Sequence, residues 1–428
     1  MKKLKLIFGN KDLRRKILYT IAIIAIYRLL AQISIPGVNL ASLKAVFDQN
    51  QFLSMFSLLT GGSAENFSIV LMGLAPYINA SIIVQLLTVV IPKFEEMSKE
   101  GEAGRKRLNS ITRWLTLPLA LLQSYGTILL LNAQAQLPII QNIQDPMVIL
   151  PIMLTVSAGS LLLMWLGEQI SEGGLSNGIS LLIFASIIST VPTALAQNLL
   201  LASKDLAQLI PVIGIILMTL GLIIATVVFT DAYRRIPVAY ASKSAKGAMS
   251  ELPIKVNQAG MIPIIFAVSV VTFPTIAAQL LQNSANPMFQ NISSFILTYF
   301  SVDKPLYLVT LFLLIVGFTY FYVSITFNTD KVADNIQKRG GYIPGIRPGK
   351  ATAEYLHGVS HRLNLFGGIF IGGIAVIPII AQRFISTGGN SLPLLMSGAG
   401  ILIIVGVILE LIRQVDTHLI NSDYSKFL

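Results

Sequence analysis

Long apolar runs alternate with short basic or polar segments along the whole chain. Runs of about 20 apolar residues match a bilayer core of roughly 30 Å crossed as a helix. Ten such runs are predicted as spans: Ile17–Ile35, Phe67–Ile91, Ile111–Leu131, Met147–Leu166, Ile179–Leu195, Leu209–Phe229, Ala259–Leu281, Leu306–Phe327, Leu365–Ala381 and Leu392–Ile412. Several are broken near one end. Span two carries Gly73 and Pro76, span five opens on GGLSNGIS, and span seven opens on NQAGMIP. Backbone groups freed by Gly and Pro are tolerated where helices repack or line a cavity. Broken helices at related places in two halves point to a central pathway. Five is odd, so two five-span halves, residues 1–200 and 201–428, run in opposite orientations. The predicted fold class is an all-α polytopic membrane protein with ten transmembrane helices in two inverted halves.

Composition sharpens this. Apolar residues make up 54% of the 428 and charged residues 12%, against roughly 25% charged in a soluble domain. A soluble protein with several buried helices is the reading this displaces. There is no cysteine, which removes disulfides, thiolate nucleophiles and cysteine metal sites. The basic N-terminus followed by an apolar run has the look of a signal peptide. That run is long and no small-residue cleavage pattern follows, so a retained first helix is expected.

The distribution of the 31 Lys and Arg residues sets the orientation. Seven precede span one, six follow span two, five follow span six, six follow span eight and two follow span ten. Opposite them lie only Lys44, Lys204, Lys304 and Arg383. By the positive-inside rule the basic side is cytoplasmic, and both termini are expected there. The net charge of +11 is thus topological first. The loops after spans six and eight are longer than membrane continuity requires, and such loops often carry function.

Span interiors are nearly empty of ionisable groups, whereas ion-coupled transporters need them. Arg28 is the clear exception. Asn, Gln, Ser and Thr remain, among them Gln85, Gln123 and Asn257. They are either packing links between helices or the lining of a polar path or separable seam. A small-solute transporter and an insertase without a through-pore are the alternatives to a channel; the missing coupling residues weigh against the first.

Two motifs fail. Gly349-Lys350 ends a stretch that hints at a phosphate loop, but Pro344 stands where the pattern needs Gly and Ala351 where it needs Ser or Thr. His357 and His361 could share a helix face, but the metalloprotease pattern needs Glu after the first, and Gly358 stands there.

Five long stretches carry a resemblance: GLAPYINASIIVQLLTVV (Gly73–Val90), WLGEQISEGGLSNGISLLIF (Trp165–Phe184), RRIPVAYA (Arg234–Ala241), LPIKVNQAGMIPIIFA (Leu252–Ala267) and YIPGIRPGKATAEYL (Tyr342–Leu356). In order, they resemble the SecY family, the pore-forming subunits of bacterial protein-conducting channels. The resemblance implies a passive channel between two halves, with lateral exit of polypeptides into lipid. It implies a pore ring at Leu74, Ile78, Ile179, Ile183, Ile265 and Ile401, and a plug near Phe52–Phe67. Gln85, Gln123 and Asn257 match polar positions of a lateral gate between spans two and three and spans seven and eight. The loops 231–255 and 330–362 would dock the SecA motor ATPase and the ribosome, including its RNA, through Arg234, Arg235, Lys243, Lys246, Arg339, Arg347 and Lys350. Arg347 matches the arginine most tied to motor-driven transport. SecE and SecG small subunits, unfolded preproteins and membrane lipid are the other implied partners, and the bacterial plasma membrane the location. No cofactor and no catalytic or metal site is implied. Ser176 departs from the family, where glycine is frequent.

Overall fold

A computed structural model of the chain describes residues 10–49, 57, 60–135, 137–143, 145–204, 209–240, 249–281, 286–300, 304–385 and 396–424. Helix α1 (Lys11–Leu30) starts at Asn10, whose side chain accepts from the backbone N–H of Asp12 and Leu13 and so satisfies two donors of the first turn. Helix α2 (Leu40–Gln49) follows. Helices α3 (Ala75–Val90) and α4 (Pro92–Lys99) meet at a bend of 101°. Pro92 explains it: Ile91 is pushed to extended backbone, and no N–H at 92 can continue the ladder. Then come α5 (Glu102–Gln134), α6 (Pro146–Gly173), α7 (Gly178–Lys204) and α8 (Leu209–Thr230). Strands β1 (Tyr233–Tyr240) and β2 (Met249–Lys255) precede α9 (Ile262–Leu281), α10 (Pro287–Tyr299), α11 (Pro305–Thr326) and α12 (Thr329–Lys338). Strand β3 (Gly341–Tyr342), α13 (Lys350–Ile385) and α14 (Gly398–Tyr424) complete the order.

The ten predicted spans fall on α1, α3, α5, α6, α7, α8, α9, α11, α13 and α14. Among the described residues, seven helices are long and apolar enough to cross a membrane, or eight if the bent pair α3–α4 is one span. Helix α8 shows what such a helix offers to lipid. Ile210, Ile213, Leu217, Leu220, Ile224 and Val228 form one exposed apolar stripe at helical spacing, while Val212, Ile215, Thr219, Thr226 and Phe229 face inward. In water a surface of this kind would be a liability.

Three features differ from the sequence reading. Span two was expected from Phe67, but its helix begins at Ala75 with Pro76 in the first turn, where a missing N–H costs nothing. Residues 61–74 before it form turns, most of them buried. Helices α5 and α13 run through basic segments read as loop, so the stretch 350–362 is helical. The largest difference is a three-stranded antiparallel sheet of order β2-β1-β3 in the segments read as the loops after spans six and eight. Strand β1 pairs along its length with β2, from Tyr233 opposite Lys255 to Ala239 opposite Met249. Its last residues, Ala239 and Tyr240, pair with Tyr342 and Gly341 of β3. Pro237 is tolerated in this central strand because β3 pairs only beyond it.

Among the described residues, four apolar clusters organise the interior. One draws only on residues from Ile35 to Val156, including Phe47, Phe67 and Leu131. A second draws on Leu222 to Leu402 and includes Phe229, Tyr307 and Ile371. The third and largest draws on both halves of the chain, from Ile23 to Leu411. A fourth is the core of the sheet unit: Ile236, Val238 and Ile254 of the strands meet Ala333, Ile336, Ile343, Ala353 and Leu356.

Candidate functional site

The six predicted ring residues come from four helices and the turn before α3. Leu74 and Ile78 lie at the start of α3, Ile179 and Ile183 in the first turns of α7, Ile265 in α9 and Ile401 in α14. All six belong to the largest apolar cluster, Leu74 and Ile401 as buried members and the other four packed against them. Close approach of α6 and α7 sets the position of Ile179. A Cβ on Gly178 would lie 1.9 Å from the Gly167 carbonyl oxygen, so no other residue fits there. Across the cluster, Ile187 lies 3.1 Å from where a Cβ on Gly400 would sit, which brings α7 against α14. Branched aliphatic side chains at a narrow place exclude water and ions while binding no passing group tightly. Ile187 and Ile404 lie in the same cluster.

The predicted polar gate residues sit on neighbouring elements. Gln85 is half-buried on α3 and Gln123 lies on α5. Helix α9 packs against both of these helices. The Gln123 side-chain carbonyl oxygen is buried without a hydrogen-bond partner. Asn257 is buried, and its Oδ1 accepts from the Gly260 N–H at 2.9 Å, which holds the turn leading into α9.

The five described docking residues lie on one unit, because β1 pairs with β2 on one side and β3 on the other. Arg234 and Arg235 are exposed on β1, and Arg235 lies 3.4 Å from the Glu251 carboxylate on β2. Arg339 is exposed at the end of α12. Arg347 and Lys350 are exposed at the approach to α13. Their loop is held from within: Ile343 is buried in the unit's core with Ile346 against it. The Ile346 N–H donates to the Ile343 carbonyl at 3.0 Å, and Thr352 Oγ1 donates to the Arg347 carbonyl at 2.9 Å. Arg347 therefore projects from a fixed backbone. Lys243 and Lys246 lie outside the described residues, as does the plug segment Phe52–Phe67 apart from Ser57 and residues 60–67.

Beside this unit, a cavity of about 300 Å³ is lined by Lys255, Asn257, Gly260, Met261, Leu402, Gly406, Glu410 and Arg413, among others. Arg413 Nη2 donates to Asp231 at 3.0 Å, and its guanidinium lies 5.7 Å from the centre of the Tyr233 ring. Burial pushes the Lys255 ammonium below the ordinary lysine range, and the neighbouring Arg413 adds to this. Ser176, at the turn between α6 and α7, donates to Glu410 on α14 at 3.1 Å. None of these roles was foreseen for Asp231, Glu410 and Arg413. A carboxylate and an arginine one turn apart on α14 were the signal.

Comparison with known proteins gives the family and the fold. The family model described as SecY matches residues 68–412. A protein translocase subunit SecY of Corynebacterium glutamicum is 40% identical over 98% of this chain and 98% of its own. The same-named protein of Lactococcus lactis subsp. cremoris is 40% identical over 100% of this chain and 98% of its own. Among solved structures, one described as "The structure of a protein conducting channel" has a TM-score of 0.65 at 19% identity, covering 94% of this chain and 91% of that one. Another, "Sec61 in the Canine ribosome-channel complex from the endoplasmic reticulum", has the same score, identity and coverage. This chain, matched by the family model over residues 68–412 and by relatives across nearly its full length, belongs to the SecY family.

Proposed function

We propose that this chain is the protein-conducting pore of a Sec translocase, passing preproteins across the bacterial plasma membrane and releasing membrane segments sideways into lipid. The observation that carries this reading is that Leu74, Ile78, Ile179, Ile183, Ile265 and Ile401, drawn from four helices, lie in one apolar cluster. The cluster is the closed constriction, and the segment Phe52–Phe67 is its plug. Two halves, divided near residue 200, part to open it. The separation of the other two membrane clusters along the chain supports that division. The gate opens where α9 leaves α3 and α5, past Gln85, Gln123 and Asn257. Both termini and the sheet unit face the cytoplasm, in accord with the basic loops. SecA and the ribosome, with its RNA phosphates, dock on Arg234, Arg235, Lys243, Lys246, Arg339, Arg347 and Lys350. Arginine's planar fork suits carboxylates and phosphates. SecE and SecG complete the complex, and the energy comes from the docked partner.

Reconstitution tests this reading. Vesicles holding the chain with SecE and SecG receive SecA, ATP and a signal-bearing precursor. The precursor becomes protected from external protease. No protection, together with saturable uptake of a small solute, would sink the channel reading.

A further inference from the structure

Arg28 is an ionisable residue that the function above leaves unused. It lies in the last turn of α1, after an apolar run from Ile17. A charge at such a position is costly and calls for a partner. Among the described residues no carboxylate forms an ion pair with it. Its partner is a main-chain group: Nη1 donates to the Gly61 carbonyl oxygen at 3.0 Å. Gly61 is left-handed, with φ +68°, and is pressed onto α7. A Cβ there would lie 2.8 Å from Ser186 Cα and 2.9 Å from the Ser186 carbonyl oxygen. The residue before Arg28 closes the triangle, because the Tyr27 hydroxyl pairs with Ser186 Oγ at 2.5 Å. Thus α1, α7 and the segment around Gly61 meet at one point, one helical turn from the ring residue Ile183 on α7.

The segment's nearby contacts are also polar. Ser57 Oγ donates to Glu65 Oε1 at 2.5 Å, and the Gly62 N–H donates to the Ser57 carbonyl at 3.0 Å. Ser57 is 2% exposed and Ser63 1%. A main-chain carbonyl in a dry interior needs a donor, and a cationic donor makes the stronger bond.

We propose that Arg28 is the positioning residue that seats the plug segment, by holding the Gly61 carbonyl beneath the ring while the channel is dry. When water enters with an opening channel, it solvates both the guanidinium and the carbonyl, and the bond loses its advantage. The seat is therefore firm in the closed state and weak in the open one. This rests on the plug reading given above.

The test uses the full complex in vesicles. Arg28→Met removes the charge and donors at similar length; Arg28→Lys keeps both in part. Resting ion leak should rise about tenfold in Arg28→Met, the ratio expected for one charge-assisted hydrogen bond, and fall back toward the parent in Arg28→Lys. Gly61→Ala, which disturbs the same contact from the other side, should leak as well. The chain has no cysteine, so Ser57→Cys reports the segment alone. Its reaction with a membrane-impermeant maleimide should be slow at rest, fast with a trapped precursor, and already fast at rest when combined with Arg28→Met. If the thiol responds to the precursor but Arg28→Met and Gly61→Ala keep the parental leak and protection, the role of Arg28 is overturned and the plug reading stands. If the thiol never responds to the precursor, the plug reading falls and takes this proposal with it.

Discussion

Ser176 and Glu410 stand 234 positions apart and are joined by a 3.1 Å hydrogen bond that links the α6–α7 turn to α14. Ser176 holds a left-handed backbone, with φ +65°. A side chain there costs about 1 kcal/mol relative to glycine. The bond to a carboxylate offsets that cost. Two variants separate the effects. Ser176→Ala keeps the strain and loses the bond, and should destabilise by about 1 kcal/mol. Ser176→Gly loses both and should be near neutral. Thermal unfolding of the purified protein in detergent checks this. Equal midpoints for the two variants would refute the offset.

Arg347 projects from a backbone fixed by Ile343, Ile346 and Thr352. Arg347→Glu should leave the folded chain unchanged and abolish SecA-driven protease protection of a precursor. Arg347→Lys should recover part of it, since a point charge replaces a planar fork. Normal translocation in Arg347→Glu would remove this residue from the docking surface.

Two ring positions provide the test of the constriction. Replacing Ile78 and Ile183 together with Gly opens the apolar collar and should raise resting ion conductance in planar bilayers. Replacing both with Val keeps a branched wall and should stay near the parent. An unchanged conductance in the double Gly variant would count against a seal at the ring.

Lys255 sets a pH dependence. Its charged form is disfavoured in the folded protein, by burial first and then by Arg413. A lowered folded-state value means a stability cost that is fully present below that value. The cost fades as pH rises from it toward the ordinary lysine value of 10.5. Lys255→Met should therefore raise the unfolding midpoint at neutral pH, and its advantage should shrink at alkaline pH. An advantage that grew with pH would contradict this assignment.

Membrane helices were legible because each apolar run is a local signal. Phe67 was not, since it sits in an apolar run yet belongs to a buried turn, with φ +43° and no exposure. Apolar composition alone does not separate a buried turn from a helix, and Pro76 was the better marker of the true start. The sheet unit was read as loop, although a local signal was present. Ile236, Val238 and Tyr240 alternate as a half-buried strand should. That β1 pairs with Gly341 and Tyr342, a hundred positions on, is a long-range choice that no local pattern contains. The six proposed ring residues look like ordinary packing one by one, and only the family resemblance selects them from the larger cluster they share. Arg28 was visible as an oddity, but its partner is a main-chain carbonyl, which leaves no trace in side-chain identity.

Helix α13 runs without interruption from Lys350, beside Arg347, to Ile385. At 1.5 Å per residue its 36 residues span about 54 Å, from the sheet unit through the bundle alongside α11 and α14. Its only internal proline, Pro378, lies near the far end. One continuous helix therefore carries both Leu356, in the core of the sheet unit, and Ile371 and Ile374, in the core of the bundle, so a displacement of the sheet unit would be handed to the bundle through a single element.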